Sequence, residues 1–272
     1  MTDIIVVGHG YIGTAISLYL KSDGIDHGWL SHLKALDIDS NFSGTIINAA
    51  GYTGVPNVDT CEIKKTETID GNIVFPVRLH ERLTKARIIH IASGCIYNGY
   101  RWFSEEDEPN FTFTTGSSFY SGCKAYAETL IKKYMDETNR SVILRIRMPF
   151  DSRPDPKNLL TKFEKYDRIV DVTNSMTNLK DLCYIVSLFA IGDISSGGIF
   201  NCTNRGAVTH REVLDMMGLK KTFVNIEEFD RELVVAPRSH CTLSTDKLSR
   251  YVYVPHVIES LTRTIEEYKN YT

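Results

Sequence analysis

Three groups of residues in this sequence have types and spacings that could do chemistry. In "FYSGCKAYAE", Tyr120 and Lys124 are four residues apart, so a helix would carry both on one face. A lysine cation beside a phenol stabilises the phenolate and draws the tyrosine pKa down from about 10, which suits Tyr120 to general acid work. The plainer alternative is a surface lysine beside a packed tyrosine. In "HIASGCIYNG", an apolar run ends in Ser93, Gly94 and Cys95, where a buried strand would present side chains to a ligand crevice. On residue type alone Cys95 is a small packing residue, the common fate of a free cysteine. In "VVGHGYIG", Gly8, Gly10 and Gly13, with Tyr11 and Ile12 between them, form a GxGxxG turn. Such a turn lets a pyrophosphate approach backbone N–H groups at a helix N-terminus.

These groups need elements to hold them. The runs "DIIVVG" (3–8), "TIINAAG" (45–51), "RIIHIAS" (87–93) and "SVILRIRM" (141–148) read as strands buried on both faces. Between them, "YIGTAISLYLKS" (11–22), "GNIVFPVRLHERLTK" (71–85) and "SGCKAYAETLIKKYMDE" (121–137) carry helical periodicity, with Pro76 perturbing the second. This alternation predicts an α/β protein with a Rossmann-type doubly wound parallel sheet. The turn-rich segment "RMPFDSRPDPKN" (147–158) leads out of the sheet. The expected organisation is a dinucleotide-binding domain over 1–150, helped by sheet contributions from about 168–203, and a smaller C-terminal substrate lobe over most of 151–272. Short strands in "RIVDV", "GIFNC" and "FVNI" and a final helix with Val257, Leu261, Ile265 and Tyr268 on one face complete the pattern.

Composition narrows the partners. Lys plus Arg number 31 against 34 Asp plus Glu in 272 residues, and a net charge of -3 leaves no electrostatic footprint for nucleic acid or an acidic membrane surface. The expected partner is a small molecule. Six cysteines without CxxC pairs or neighbouring histidines at ligand spacing indicate neither a disulfide framework nor a metal site, and read as reduced cytoplasmic thiols. The N-terminus shows no basic region or cleavage site, and the apolar stretch "CYIVSLFAI" is about half the ~20 residues a membrane span requires. A cytoplasmic protein is expected.

The second strand, in "DHGWLSHLK" (26–34), ends in Ser31, His32 and Lys34 rather than in the acidic residue that grips the ribose of NAD. Neutral or cationic groups suit a 2′-phosphate, so NADPH is the expected cofactor. The alternative is that His32 and Lys34 are solvated loop residues.

With Ser93, Tyr120, Lys124 and the glycine turn in this order, the chain resembles the extended short-chain dehydrogenase/reductase family. Within it the chain is similar to the nucleotide-rhamnose synthase type of 4-keto-6-deoxy-sugar 3,5-epimerase/4-reductase, and more distantly to the dTDP-4-dehydrorhamnose reductases. The shared stretches include "GVPNVDTCE", "ASGCIY", "EEDEPNF", "SFYSGCKAYAE", "LRIRMPF", "NLLTKF", "NSMT" and "VAPRS". The first two glycines stand one residue closer than in the usual GxxGxxG of extended members.

The resemblance implies a set of roles. Ser93, Tyr120 and Lys124 would surround the nicotinamide, with Asn48, Ala49, Ala50, Gly51 and Asn72 lining the cofactor cleft. Ser31 and His32 would stand near the adenosine ribose, and Met148 and Pro149 would meet the nicotinamide. Cys95 matches the catalytic cysteine of the epimerase/reductases and Lys162 its lysine partner. That assignment suits the chemistry, because a 4-keto group acidifies the protons on C3 and C5, and inversion needs one group to remove a proton and another to return it. Asn158 and Arg238 match substrate positions, the arginine one that contacts the nucleotide-sugar diphosphate. Arg145 and Arg147 read equally well as structural ion-pair partners, and Glu105, Glu106 and Asp107 as a solvated loop. The implied activity is conversion of a nucleotide 4-keto-6-deoxyglucose, UDP by analogy, to nucleotide-L-rhamnose with NADPH. A reductase relying on a separate epimerase and a catalytically idle NADP-binding regulatory subunit are the other readings, and a homodimer is left open. The intact Ser93, Tyr120 and Lys124 set argues against the idle subunit.

Overall fold

The computed structural model describes residues 3–138 and 141–271. Its centre is a six-stranded sheet made of β1 (Ile4–Val7), β2 (Gly28–Leu30), β3 (Thr45–Asn48), β4 (Arg87–Ser93), β5 (Val142–Ile146) and β6 (Gly198–Asn201). The strands lie in the order β6-β5-β4-β3-β1-β2 and every pairing is parallel. The chain changes direction across the sheet between β1 and β3, the switch point beyond whose strand ends a crevice opens. The expected α/β Rossmann-type architecture is therefore the one observed.

The apolar runs are continuous because both faces are covered. Ile4 and Val6 pack with Ile16 and Leu20 of α1 (Tyr11–Ser22) and with Val186 and Phe189 of α5 (Leu179–Ile191). Val7, Ile46 and Ile88 face the other way, onto Phe75 and Leu79 of α2 (Phe75–Arg82). Ala92 and Ile143 meet Ile131 and Met135 of α3 (Phe119–Thr138). A buried ion pair between Glu128 and Arg145 fastens α3 to β5.

Helix α1 spans the residues that periodicity predicts. The second helical segment begins earlier than expected, with an α-helical stretch at Lys65–Ile69 and a wider π-type turn at Asp70–Val74 leading into α2. Pro76 has no N–H to give the carbonyl of residue 72, and the wide turn takes up the mismatch.

After β5 the chain leaves the sheet and builds a second core from α4 (Leu159–Lys165), α6 (His210–Met217) and α7 (Val257–Tyr268). Helix α7 buries Val257, Leu261, Ile265 and Tyr268, the face read from the sequence. Within 168–203, β6 joins the main sheet, whereas Arg168–Val170 pairs with Thr222–Val224 in the lobe. The apolar stretch 183–191 lies within α5 against the sheet. Among the described residues no helix is long and apolar enough to cross a membrane.

Candidate active site

A cavity of about 780 Å³ opens beyond the carboxyl ends of β1, β3, β4 and β5, between the sheet and the second core. Its floor is the glycine turn. Gly8 has φ 111°, a left-handed value that a side chain would strain, and a Cβ there would come within 2.8 Å of Ala50 N. A Cβ on Gly13 would lie 2.2 Å from the Gly8 carbonyl oxygen. At Gly10, by contrast, a Cβ would meet nothing within 4 Å, so this backbone faces open space. No side chain caps α1, whose N-terminus points its positive dipole end at that space. The turn is held from outside, since Gly8 N donates to Leu30 O at 2.9 Å and Trp29 Nε1 donates to Gly8 O at 2.9 Å. A close-approach backbone with an uncapped helix start fits the pyrophosphate of a dinucleotide. Tyr11, Ile12, Ala49, Ala50 and Gly51 line the cavity beside it.

Asn48 and Asn72 act differently from expectation. Both are fully buried and shape the wall from behind. Asn48 Oδ1 accepts from Ala50 N at 3.1 Å, while its Nδ2 meets His90 Nδ1 at 3.0 Å. Asn72, in the π-type turn, accepts from Tyr52 N at 3.3 Å and donates to Tyr52 O at 2.7 Å and Thr68 O at 3.0 Å. Ser31 and His32 stand at the end of β2, outside the cavity wall. Ser31 caps a short helical turn and the His32 ring packs edge-on to Phe75 at 5.7 Å.

Ser93, Cys95, Tyr120 and Lys124 converge on the cavity, the first two from the end of β4 and the last two from the first turns of α3. Helix α3 starts here because Ser118 Oγ accepts from Ser121 N at 3.1 Å and Glu62 Oε1 accepts from Phe119 N at 2.6 Å. Ser93 lines the cavity beside Tyr120, and its Oγ accepts from Cys95 N at 3.3 Å. Lys124 Nζ lies 6.0 Å from the Tyr120 ring centre. Burial pushes the Tyr120 phenol well above its ordinary range, aided by the neighbouring Cys95, and burial likewise lowers Lys124. The expectation that Lys124 draws Tyr120 down is not what the structure gives: burial dominates and keeps the phenol protonated.

The opposite wall comes from the lobe. Lys162 projects from α4 into the same cavity, its pKa lowered by burial and then by the cations Lys157 and Arg238. Arg238 also lines it, as do Met148, held at a left-handed φ of 41°, and Pro149. Asn158 does not. Its amide is fully buried and committed to its own chain, capping α4 through Leu160 N at 3.1 Å and donating to Asp151 O at 2.7 Å and Arg153 O at 2.9 Å. An asparagine ahead of an apolar helix is as much a cap as a ligand.

Two residues without a local sequence signal also shape the site. Lys157 lines the cavity and reaches across it to Thr53 Oγ1 at 2.8 Å, and Asp59 in the shared stretch "GVPNVDTCE" holds Arg238 at 2.9 Å. Arg145 is the partner of Glu128, whereas Arg147 hydrogen-bonds Asn174 and Ser239 rather than a carboxylate. In the 105–107 loop, Glu105 accepts from Asn201 N at 2.8 Å and Asp107 pairs with Arg101 at 2.8 Å. Among the described residues no cluster of His, Cys, Asp and Glu is arranged for a metal ion. Apart from Cys95 the cysteines are buried.

Comparison with known proteins shows the family. The model of the NAD dependent epimerase/dehydratase family matches residues 4–185. The bifunctional dTDP-4-dehydrorhamnose 3,5-epimerase/dTDP-4-dehydrorhamnose reductase of Arabidopsis thaliana is 36% identical over 281 aligned residues, covering 95% of this chain and 90% of the relative. A trifunctional UDP-glucose 4,6-dehydratase/UDP-4-keto-6-deoxy-D-glucose 3,5-epimerase/UDP-4-keto-L-rhamnose-reductase of the same plant is 35% identical, and the chain spans 38% of its length. The crystal structure of the UDP-rhamnose synthase of Acanthamoeba polyphaga mimivirus superposes with a TM-score of 0.86 at 25% identity, over 97% of this chain and 99% of that one. A dTDP-4-dehydrorhamnose reductase of Bacillus anthracis, solved with NADP, shares the fold at 18% identity and a TM-score of 0.77, over 97% and 98% of the two chains. The family match and the 36% identity spread over 95% of the chain together make it a nicotinamide-cofactor enzyme of the NAD-dependent epimerase/dehydratase family.

Proposed function

We propose that the chain is an NADPH-dependent epimerase/reductase that inverts C3 and C5 of a nucleotide-linked 4-keto-6-deoxyglucose and then reduces C4, giving nucleotide-L-rhamnose, with UDP the favoured nucleotide. One observation carries the reading: Ser93, Cys95, Tyr120 and Lys124 from the sheet side and Lys162 from the lobe line a single cavity. The activities of the similar plant and viral proteins point the same way.

The 4-keto oxygen sits where Ser93 and Tyr120 can both donate to it. Polarising that carbonyl makes the protons on C3 and C5 acidic. At each carbon one of the pair Cys95 and Lys162 removes the proton, leaving an enolate whose oxygen Ser93 and Tyr120 stabilise. The other returns a proton to the opposite face, so no proton is gained or lost overall. The two groups come from different walls, as inversion demands, and burial in cationic company eases Lys162 toward the neutral amine that can accept a proton. When bound, the dinucleotide supplies the hydride for C4. Tyr120, held protonated by burial, gives its proton to the resulting oxygen, and Lys124 supports the phenolate left behind. The guanidinium of Arg238 offers the diphosphate a planar set of donors. The missing acidic residue at the end of β2, with Ser31, His32 and Lys34 in its place, supports NADPH over NADH.

The test is to incubate the purified protein with UDP-4-keto-6-deoxyglucose and either NADPH or NADH in D₂O. Expected are cofactor oxidation, faster with NADPH, and UDP-L-rhamnose labelled at C3 and C5. Oxidation that begins only when a separate epimerase is added would make the protein a reductase alone. Equal use of NADH would overturn the cofactor assignment.

A further inference from the structure

We infer that Asp59 is a positioning residue that aims Arg238 at the diphosphate of a bound nucleotide sugar, by anchoring the 234–240 segment to the 54–60 loop, both of which line the cavity. The inference rests on the reading of Arg238 given above. A single carboxylate oxygen, Asp59 Oδ1, gathers three donors: Val235 N at 3.1 Å, Ala236 N at 2.8 Å and the Arg238 guanidinium at 2.9 Å. Asp59 is itself fixed, since its N–H donates to Asn57 Oδ1 at 2.8 Å. The two sides so joined are cavity walls, with Asn57 and Val58 on one and Val234, Pro237 and Arg238 on the other.

The pair is placed to matter. The side chains of Arg238 and Asp59 are 21% and 23% exposed, which shields their attraction from solvent more than at an open surface. Among the described residues Arg238 pairs through one terminal nitrogen only, with Asp59 and with Ala236 O at 2.5 Å, which leaves its remaining N–H groups as a fork for an anion. An unrestrained arginine must be ordered when a ligand arrives, and one already held in place has that cost removed from binding. The opposing possibility is that the carboxylate competes with the diphosphate for the same cation. Its two backbone amides count against this, because they hold Asp59 in place whether or not Arg238 turns to a ligand. Burial opposes the charge on Asp59, but Arg238 and these amides outweigh it and keep the carboxyl below its ordinary range.

The experiment titrates UDP, and for the wild type also dTDP, calorimetrically into the protein saturated with NADP⁺, comparing wild type with Asp59→Ala, Asp59→Asn, Arg238→Ala and the Asp59→Ala/Arg238→Ala double variant. Losing the anchor in Asp59→Ala should weaken UDP roughly tenfold while NADP⁺ affinity stays at the wild-type value. Asp59→Asn keeps an oxygen for the two amides but loses the charge, and should fall between. The double variant should bind no worse than Arg238→Ala, because the aspartate acts through the arginine. Unchanged or tighter UDP binding by Asp59→Ala, or additive losses in the double variant, would overturn the inference. Full UDP affinity in Arg238→Ala would instead remove Arg238 from the diphosphate, and failure of the wild type to bind UDP or dTDP would remove the nucleotide-sugar reading itself.

Discussion

Tyr120 and Cys95 line one cavity, and the proposed chemistry gives them different bonds, which substitution can separate. Tyr120→Phe keeps the ring and removes the proton donor, so reduction should fall by about 10²- to 10⁴-fold while NADPH still binds. Cys95→Ala should instead abolish deuterium exchange at the carbon it serves, yet still reduce a substrate supplied already inverted at C3 and C5. Stopped-flow absorbance and proton NMR read the two outcomes, and parallel loss of both activities in Cys95→Ala would reduce the cysteine to a packing residue. The pattern of residues that sequence alone revealed has a physical basis. Tyr120 and Lys124, or Ser93 and Cys95, lie within a few residues of each other on one element, so local periodicity shows that they meet. Asp59 meets Ala236 across 177 positions of sequence, a contact no local pattern carries. The resemblance implies a substrate role for Asn158, whereas its amide caps a helix through Leu160 N.

At the scale of elements, the glycine turn between β1 and α1 is the least tolerant part of the fold. A methyl group on Gly13 would sit 2.2 Å from the Gly8 carbonyl oxygen, and that oxygen cannot simply move because Trp29 Nε1 donates to it. Gly13→Ala should therefore cost about 1–3 kcal/mol of stability and weaken cofactor binding at least in proportion. Thermal melting with and without NADPH checks this, and a variant as stable and as cofactor-stabilised as the wild type would mean the turn has slack. Strong periodicity made α1, β4 and α7 legible, because each buries one continuous apolar face or run. The π-type turn before α2 was not, since it depends on Pro76 and on the reach of Asn72 to Tyr52 in another segment. The second strand was expected somewhere within 26–34 and is three residues long, Gly28–Leu30, too short to announce its own ends.

For the whole molecule, buried histidines set an acid limit. Burial pushes His80 and His210 down to about 4 and His90 well below its ordinary value. His240 is likewise lowered to about 4, by burial and by the nearby Arg147. An unfolded chain takes up these protons near pH 6.5, so between about 6.5 and 4 the unfolded state binds more protons than the folded one. Stability is therefore complete above that window and is lost as pH falls through it. Each fully buried imidazole held to about 4 costs roughly 3 kcal/mol at the acid end, and two such groups approach the 5–15 kcal/mol a typical domain possesses. The melting temperature should drop steeply between pH 6.5 and 4, and a flat profile there would show that these rings find compensation on protonation. The sheet has a further consequence, for how the chain is made and exchanged. Five strands of the main sheet have been synthesised by residue 146, but β6 and α5, whose Phe200 and Phe189 rings lie 5.3 Å apart, follow only after α4 and the first strands of the lobe. During that interval the nascent sheet keeps the edge of β5 unpaired, the kind of surface that invites wrong partners. Recombination meets the same wiring: one breakpoint near residue 147 would carry away the last strand along with the lobe, so exchanging the lobe between relatives takes two junctions, one on each side of the returning strand.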